Sequence, residues 1–114
     1  MLFSGISATG GVITVDSSYS IPYRVHTFLS GGTLSVHSAA GGDQYCTIER
    51  LVVAGGGGAG GVNGTGLGSG GGGAVGLSYA TQIGGVASYG VVVGSGGTKG
   101  SIASRGEDGS YSAF

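Results

Sequence analysis

Short apolar runs with a period of two punctuate the first half of the chain, the spacing of strands and not of helices. Val12 to Val15 (VITV) predicts a first strand, followed by a Ser-rich connection containing Asp16, Ser17 and Ser18. Pro22 suits a strand entry, since it cannot donate to a sheet ladder. Tyr23 to Leu29 (YRVHTFL) then places Tyr23, Val25 and Thr27 on one face and Arg24, His26 and Phe28 on the other. Gly31 and Gly32 separate it from Thr33 to Val36 (TLSV), a spacing that predicts a tight hairpin whose turn uses positive φ. Gln44 to Val53 (QYCTIERLVV) is the longest predicted strand, with Arg50 interrupting the side formed by Cys46, Ile48 and Val52. Ala74 to Tyr79 and Tyr89 to Val93 predict two more.

At Ala54 the pattern gives way to glycine: LVVAGGGGAGGVNGTGLGSGGGG runs from Leu51 to Gly73. A strand followed by Gly56, Gly58 and Gly61 has the G-x-G-x-x-G spacing of a dinucleotide site. That site also needs a helix N-terminus for the pyrophosphate and an acidic residue about 20 positions on. Here no helix-forming pattern follows, and no Asp or Glu lies between Glu49 and Glu107. GSGGTKGS (Gly94 to Ser101) fails as a phosphate loop because Gly100, not Ser or Thr, follows Lys99.

A flexible Gly/Ser linker is the bland alternative. Against it stands a period of three. Glycine occupies 55, 58, 61, 64, 70, 73 and 76, broken by Leu67, and then 94, 97, 100, 106 and 109, broken by Ala103. Three residues per turn is the repeat of polyproline II, whose backbone groups all point outward. Ordering each residue costs about 1–2 kcal/mol, so such strands persist only packed together, where each backbone bond returns about 0.5–1.5 kcal/mol. Glycine at crowded positions permits that packing, and Val62, Asn63, Thr65 and Leu67 would project outward. A single Pro and the broken register argue against a collagen triple helix.

Composition sharpens this picture. The 114 residues suit one domain, 1–114, with a β-rich part (1–54) and a glycine-rich part (55–114). Thirty glycines favour low complexity, yet mean hydropathy is positive at +0.35, unlike most disordered chains. With four basic and five acidic residues there is no basic patch for nucleic acid or an anionic membrane. One cysteine, Cys46, rules out an intrachain disulfide framework and a multi-Cys zinc site. No run approaches membrane-spanning length, and MLFSGISATGG lacks the features of a secretory signal. The expected fold is all-β: a small sandwich-like or hairpin-rich module with polyglycine II-like strands, completed by oligomerisation.

The order of segments resembles a known family. YRVHTF, a Thr-Val strand, IERLVVAGGGGAGG, YGVVVGSGGTKG and GEDGSYSAF are similar to the glycine-rich domain of tail-fibre and other virion proteins of tailed bacteriophages, over roughly Ala8 to Phe114. The resemblance implies a structural or host-recognising module at the exposed part of a fibre or adhesin, with no shared catalytic residues. It also implies a place on the phage particle surface after synthesis in the host cytoplasm. The chain departs from the family at Phe114, where members continue into another strand; neighbouring chains completing it, or a longer chain, would account for that. Expected partners are further copies of the chain, a trimer favoured, other virion proteins, and a host surface glycan or outer-membrane receptor. Capsid decoration or a head fibre is the alternative placement. A carbohydrate-binding module or a secreted glycine-rich matrix protein is the alternative of another class.

Candidate chemical sites are sparse. His26, His37 and Cys46 lack the close spacing that brings metal ligands together, and no G-x-S-x-G elbow occurs, GLSYA (Gly76 to Ala80) being the nearest stretch. No catalytic, cofactor-binding or metal-ligating residue is assigned, and an enzyme is not expected. Tyr79, Tyr89 and Tyr111 sit beside small residues, as on adaptable recognition surfaces. With Val62, Asn63, Thr65 and Leu67 they form the candidate recognition set; the competing role for each tyrosine is stapling of β segments.

Overall fold

The computed structural model describes residues 6–38, 45–61, 70–102 and 104–114. Seven strands occur among them: β1 (Ser7–Thr9), β2 (Val12–Asp16), β3 (Tyr23–Thr27), β4 (Gly32–Ser38), β5 (Tyr45–Val53), β6 (Val75–Gly84) and β7 (Ala87–Val91). The fold is all-β, as the period-two runs predict, and small sheets carry it: β1-β4-β7, β2-β3 and β5-β6. The chain divides into two compact units that do not follow a single cut: Met1–Arg50 with Ser78–Val91 and Phe114, and Leu51–Leu77 with Val92–Ala113.

In the first unit β4 lies between β1 and β7, antiparallel to both. Leu34 and Val36 point to one face, where Ala8 stands opposite Val36 and Tyr89 opposite Leu34. Ala8, Leu34 and Val36 form the buried core, flanked by Ile6, Phe28, Ile83, Tyr89, Val91 and Phe114. The opposite face is wet, and Ser35 and Ser88 pair across it through their hydroxyls at 3.2 Å.

The predicted hairpin between the Tyr23 and Thr33 strands does not form. β3 pairs backwards with β2, from Val12 opposite Thr27 to Asp16 opposite Tyr23. β4 needs apolar neighbours for Leu34 and Val36, which β1 and β7 supply; β3 carries Arg24 and His26 on one face. Among the described residues the positive-φ glycines are Gly10 (119°) and Gly11 (65°), not Gly31 and Gly32. They turn the chain from β1 into β2, where a Cβ would also strike the carbonyls of Thr33 and Thr27. The short β1 escaped the sequence pattern because three residues, Ser-Ala-Thr, carry no detectable alternation.

Between β2 and β3 the Asp16 carboxylate accepts a bond from the Ser18 N–H at 2.9 Å, an Asx-type turn. That bond holds the carboxyl below its usual pKa. Its contribution is therefore complete above the ordinary carboxylate range and is lost on acidification.

Leu34 is among the buried residues of the described core, and Leu29 is not. Leu34→Ala is expected to lower unfolding stability by about 2–4 kcal/mol. Leu29→Ala, at a side chain 85% exposed, should stay within about 0.5 kcal/mol. Denaturant unfolding of the two variants checks the contrast.

Candidate functional site: the glycine segments

Among the described residues of the second unit run four extended segments: 54–61, 70–74, 94–101 and 104–112. Each pair leaves a β-type contact. At the end of β5-β6, Ala54 N–H donates to Ala74 C=O at 2.9 Å, and Val92 and Ala113 exchange reciprocal bonds at 2.9 Å. The unit is thus two excursions, each closed at its base by backbone pairing.

Within 54–61 the bonding direction changes at every residue and returns at every third. Ala54 and Gly57 donate to Ala74 and Gly71 of 70–74. Gly55, Gly58 and Gly61 donate to Ser110, Glu107 and Ser104, at 3.0, 2.8 and 2.7 Å. Gly56 and Ala59 accept from Gly97 and Gly100, at 2.8 and 2.7 Å. One strand therefore serves three neighbours on three sides, which a period-two β-strand cannot do, and its threefold repeat is that of polyproline II.

Three of the segments close a cycle. The 54–61 segment donates to 104–112, which donates to 94–101 through Glu107→Thr98 (3.0 Å) and Ser110→Ser95 (2.9 Å), and 94–101 donates back to 54–61. The partner numbers show that 94–101 runs parallel to 54–61, whereas 104–112 and 70–74 run antiparallel to it. Mixed direction lets a single chain build the cluster with short returns, such as the Ser104 N–H to Ser101 C=O turn at 2.9 Å.

The sequence register of glycine follows the same cycle. A Cβ at Gly55, Gly58 or Gly61 would lie under 3.0 Å from the carbonyls of Ser95, Thr98 and Ser101. At Gly94, Gly97 and Gly100 it would meet Ser110, Glu107 and Ser104; at Gly106 and Gly109, Gly58 and Gly55; at Gly70 and Gly73, Gly57 and Ala54. Real Cβ atoms do not come so close. Gly57, Gly60, Gly71 and Gly72 lie off this register and have room. Gly76 continues the register in sequence, yet it belongs to β6 and has open space, because pairing has by then reverted to a period of two.

Side chains emerge where the register allows them. Along the antiparallel 94–101 and 104–112 segments, Ser95 meets Ser110 (3.1 Å), Thr98 meets Glu107 (2.5 Å) and Ser101 meets Ser104 (3.0 Å). The rungs recur every third residue, about 9 Å apart at the rise of this conformation. All six side chains are exposed. Ser112 joins the two excursions, its hydroxyl accepting from Gly94 N–H at 2.9 Å and donating to Val53 C=O at 2.7 Å. Arg105 and Asp108 form an exposed ion pair at 3.2 Å, worth little in water.

The candidate recognition residues fare unequally. Val62, Asn63, Thr65 and Leu67 lie outside the described residues. Tyr79 falls in β6, its side chain likewise outside the description. Tyr89 is half-buried in β7, its hydroxyl donating to the carbonyls of Gly84 and Gly85 and its ring 6.1 Å from that of Phe114. It staples the β6–β7 turn. Tyr111, 71% exposed, belongs to the glycine unit.

The histidines are engaged with local partners. His26 Nδ1 donates to Gly10 C=O at 2.8 Å, and His37 Nε2 lies 2.8 Å from Thr9 Oγ1. Among the described residues no three His, Cys, Asp or Glu side chains cluster as metal ligands. The chain matches no protein family, curated protein or solved structure.

The register predicts opposite outcomes at adjacent glycines. Gly58→Ala should destabilise the protein by about 3 kcal/mol, the upper range of overpacking. Gly57→Ala should be neutral or stabilising by about 0.4–1 kcal/mol, because it only restricts the unfolded chain. Unfolding midpoints, with amide exchange at Gly97 and Gly100 reporting on the segments themselves, distinguish the two.

Proposed function

We propose that this chain is a non-enzymatic structural protein of a tailed-bacteriophage virion, serving as a fibre, tip or surface-attachment module. The observation that carries this reading is the closed cycle of glycine segments. A bundle whose backbones satisfy one another presents an ordered surface of chosen side chains without needing a large apolar core. The junction LVVAGGGG, one of the more specific pieces of the resemblance to virion glycine-rich domains, is the point at which period-two pairing becomes period-three packing.

In this reading the glycine unit carries the displayed side chains. The chain assembles with further copies, a trimer favoured, and with other virion proteins. The exposed Ser, Thr and Glu rungs and Tyr111 face a host surface glycan or outer-membrane receptor. Extended segments hydrogen-bonded to their neighbours resist proteases, as an exposed particle component must.

Purified particles test the proposal. The chain is expected to co-purify with intact virions and to resist proteolysis there, and labelled copies should localise to the tail or fibre tips. A monomeric, protease-labile chain absent from particles overturns it, and label on the capsid shell moves it to a decoration protein.

A further inference from the structure

The rungs between 94–101 and 104–112 have a direction. A hydroxyl carries one hydrogen and two acceptor sites, so where each hydrogen goes can be worked out. The Ser104 hydroxyl donates to the Ser101 carbonyl at 2.9 Å, and the Ser110 hydroxyl to the Ser95 carbonyl at 3.3 Å. With those hydrogens spent, Ser101 and Ser95 are the donors across their own rungs, at 3.0 and 3.1 Å. Thr98 donates to Oε2 of Glu107. Every hydroxyl hydrogen of the three rungs is thus used inside the row. What these exposed side chains hold out to the surroundings is acceptors: the hydroxyl lone pairs of Ser95, Thr98 and Ser101, and Oε1 of Glu107.

A row of acceptors selects a ligand rich in donors. Nucleic acid, whose phosphates only accept, is refused. An extended polypeptide offers as many carbonyls as N–H groups, and its carbonyls would meet the lone pairs of the row. A cation is not singled out, because the ionised residues of the two segments, Lys99 and Arg105 against Glu107 and Asp108, cancel. A sugar hydroxyl can donate to the row while turning its own lone pairs to water. The row also sets the ligand's form: rungs about 9 Å apart make a straight track of about 19 Å, which only an unbranched, extended chain follows.

We infer that the rung face of 94–101 and 104–112 binds a linear, uncharged polysaccharide laid along the three rungs, its hydroxyls donating to Ser95, Thr98, Ser101 and Glu107. The inference rests on the attachment role proposed above, and it chooses the glycan over the protein receptor.

Titration of the purified full chain with unbranched neutral oligosaccharides of glucose, mannose and galactose, from disaccharide to hexasaccharide and up to millimolar concentration, is the test, with backbone amide NMR shifts as the readout. At least one series is expected to shift the amides of 95–101 and 104–110. Its affinity should rise about threefold to tenfold for each rung the oligosaccharide reaches. Ser101→Ala and Thr98→Val should each weaken the hexasaccharide by about the same factor while preserving amide protection at Gly97 and Gly100. Ser35→Ala, in the hydroxyl pair of the β unit, should leave it unchanged. Shifts confined to other residues, affinity independent of length, or no binding by any hexasaccharide overturns this inference, as does capture of an outer-membrane protein by a chain that binds no oligosaccharide. None of these touches the virion reading, which stands or falls on co-purification with particles.

Discussion

A carbonyl oxygen from a neighbouring segment sits where a Cβ would be, at every third position of the glycine segments. The rest of the second unit depends on that approach. With it, each backbone reaches its neighbours on three sides; without it, 54–61 could not bond to 70–74, 94–101 and 104–112 together. Glycine serves here as a vacancy of fixed address, unlike a linker, where any glycine serves as well as another.

The cost of ordering explains why the bundle begins and ends in β pairing. A glycine residue that gains one net backbone bond of about 0.5–1.5 kcal/mol does not repay about 1–2 kcal/mol of lost conformational freedom. Closing each excursion at its base, by Ala54 to Ala74 and by Val92 with Ala113, removes much of the loop-closure cost before the glycine segments meet. Hydroxyls fill gaps in the scheme: Ser112 bridges Gly94 to Val53, and the Ser110 hydroxyl accepts from Ser95 N–H at 2.8 Å. The β unit solves a different problem: among the described residues Ala8, Leu34 and Val36 are buried, and the β2-β3 ribbon leaves apolar side chains exposed.

Legibility in the sequence followed the strength of each periodicity. The runs at Val12, Tyr23, Gln44, Ala74 and Tyr89 were readable as strands because alternation marks half-buried backbone, and β2, β3, β5, β6 and β7 lie there. Strand pairing was less readable. Gly31 and Gly32 looked like a hairpin turn, but nothing local shows that Leu34 and Val36 need Ala8 and Tyr89, one some 26 residues before Leu34 and the other 55 after it. That the Tyr89 hydroxyl lies on the carbonyls of Gly84 and Gly85 was not readable from its neighbours in sequence. The hydroxyl rungs were missed, although Ser95, Thr98 and Ser101 repeat at the glycine period and could have been read from it.

The sequence by itself determined where the backbone packs by twos and where by threes, because side-chain alternation and glycine spacing are local imprints of those two geometries. Its register also holds the crowded positions 55, 58, 61, 70, 73, 94, 97, 100, 106 and 109, but not Gly56, where a Cβ would lie 2.7 Å from the Gly71 carbonyl oxygen. Only the tertiary structure decided which segment faces which, and in what direction. Gly76 shows why: it keeps the glycine register but not the crowding, since crowding comes from a neighbour's carbonyl and not from the residue itself.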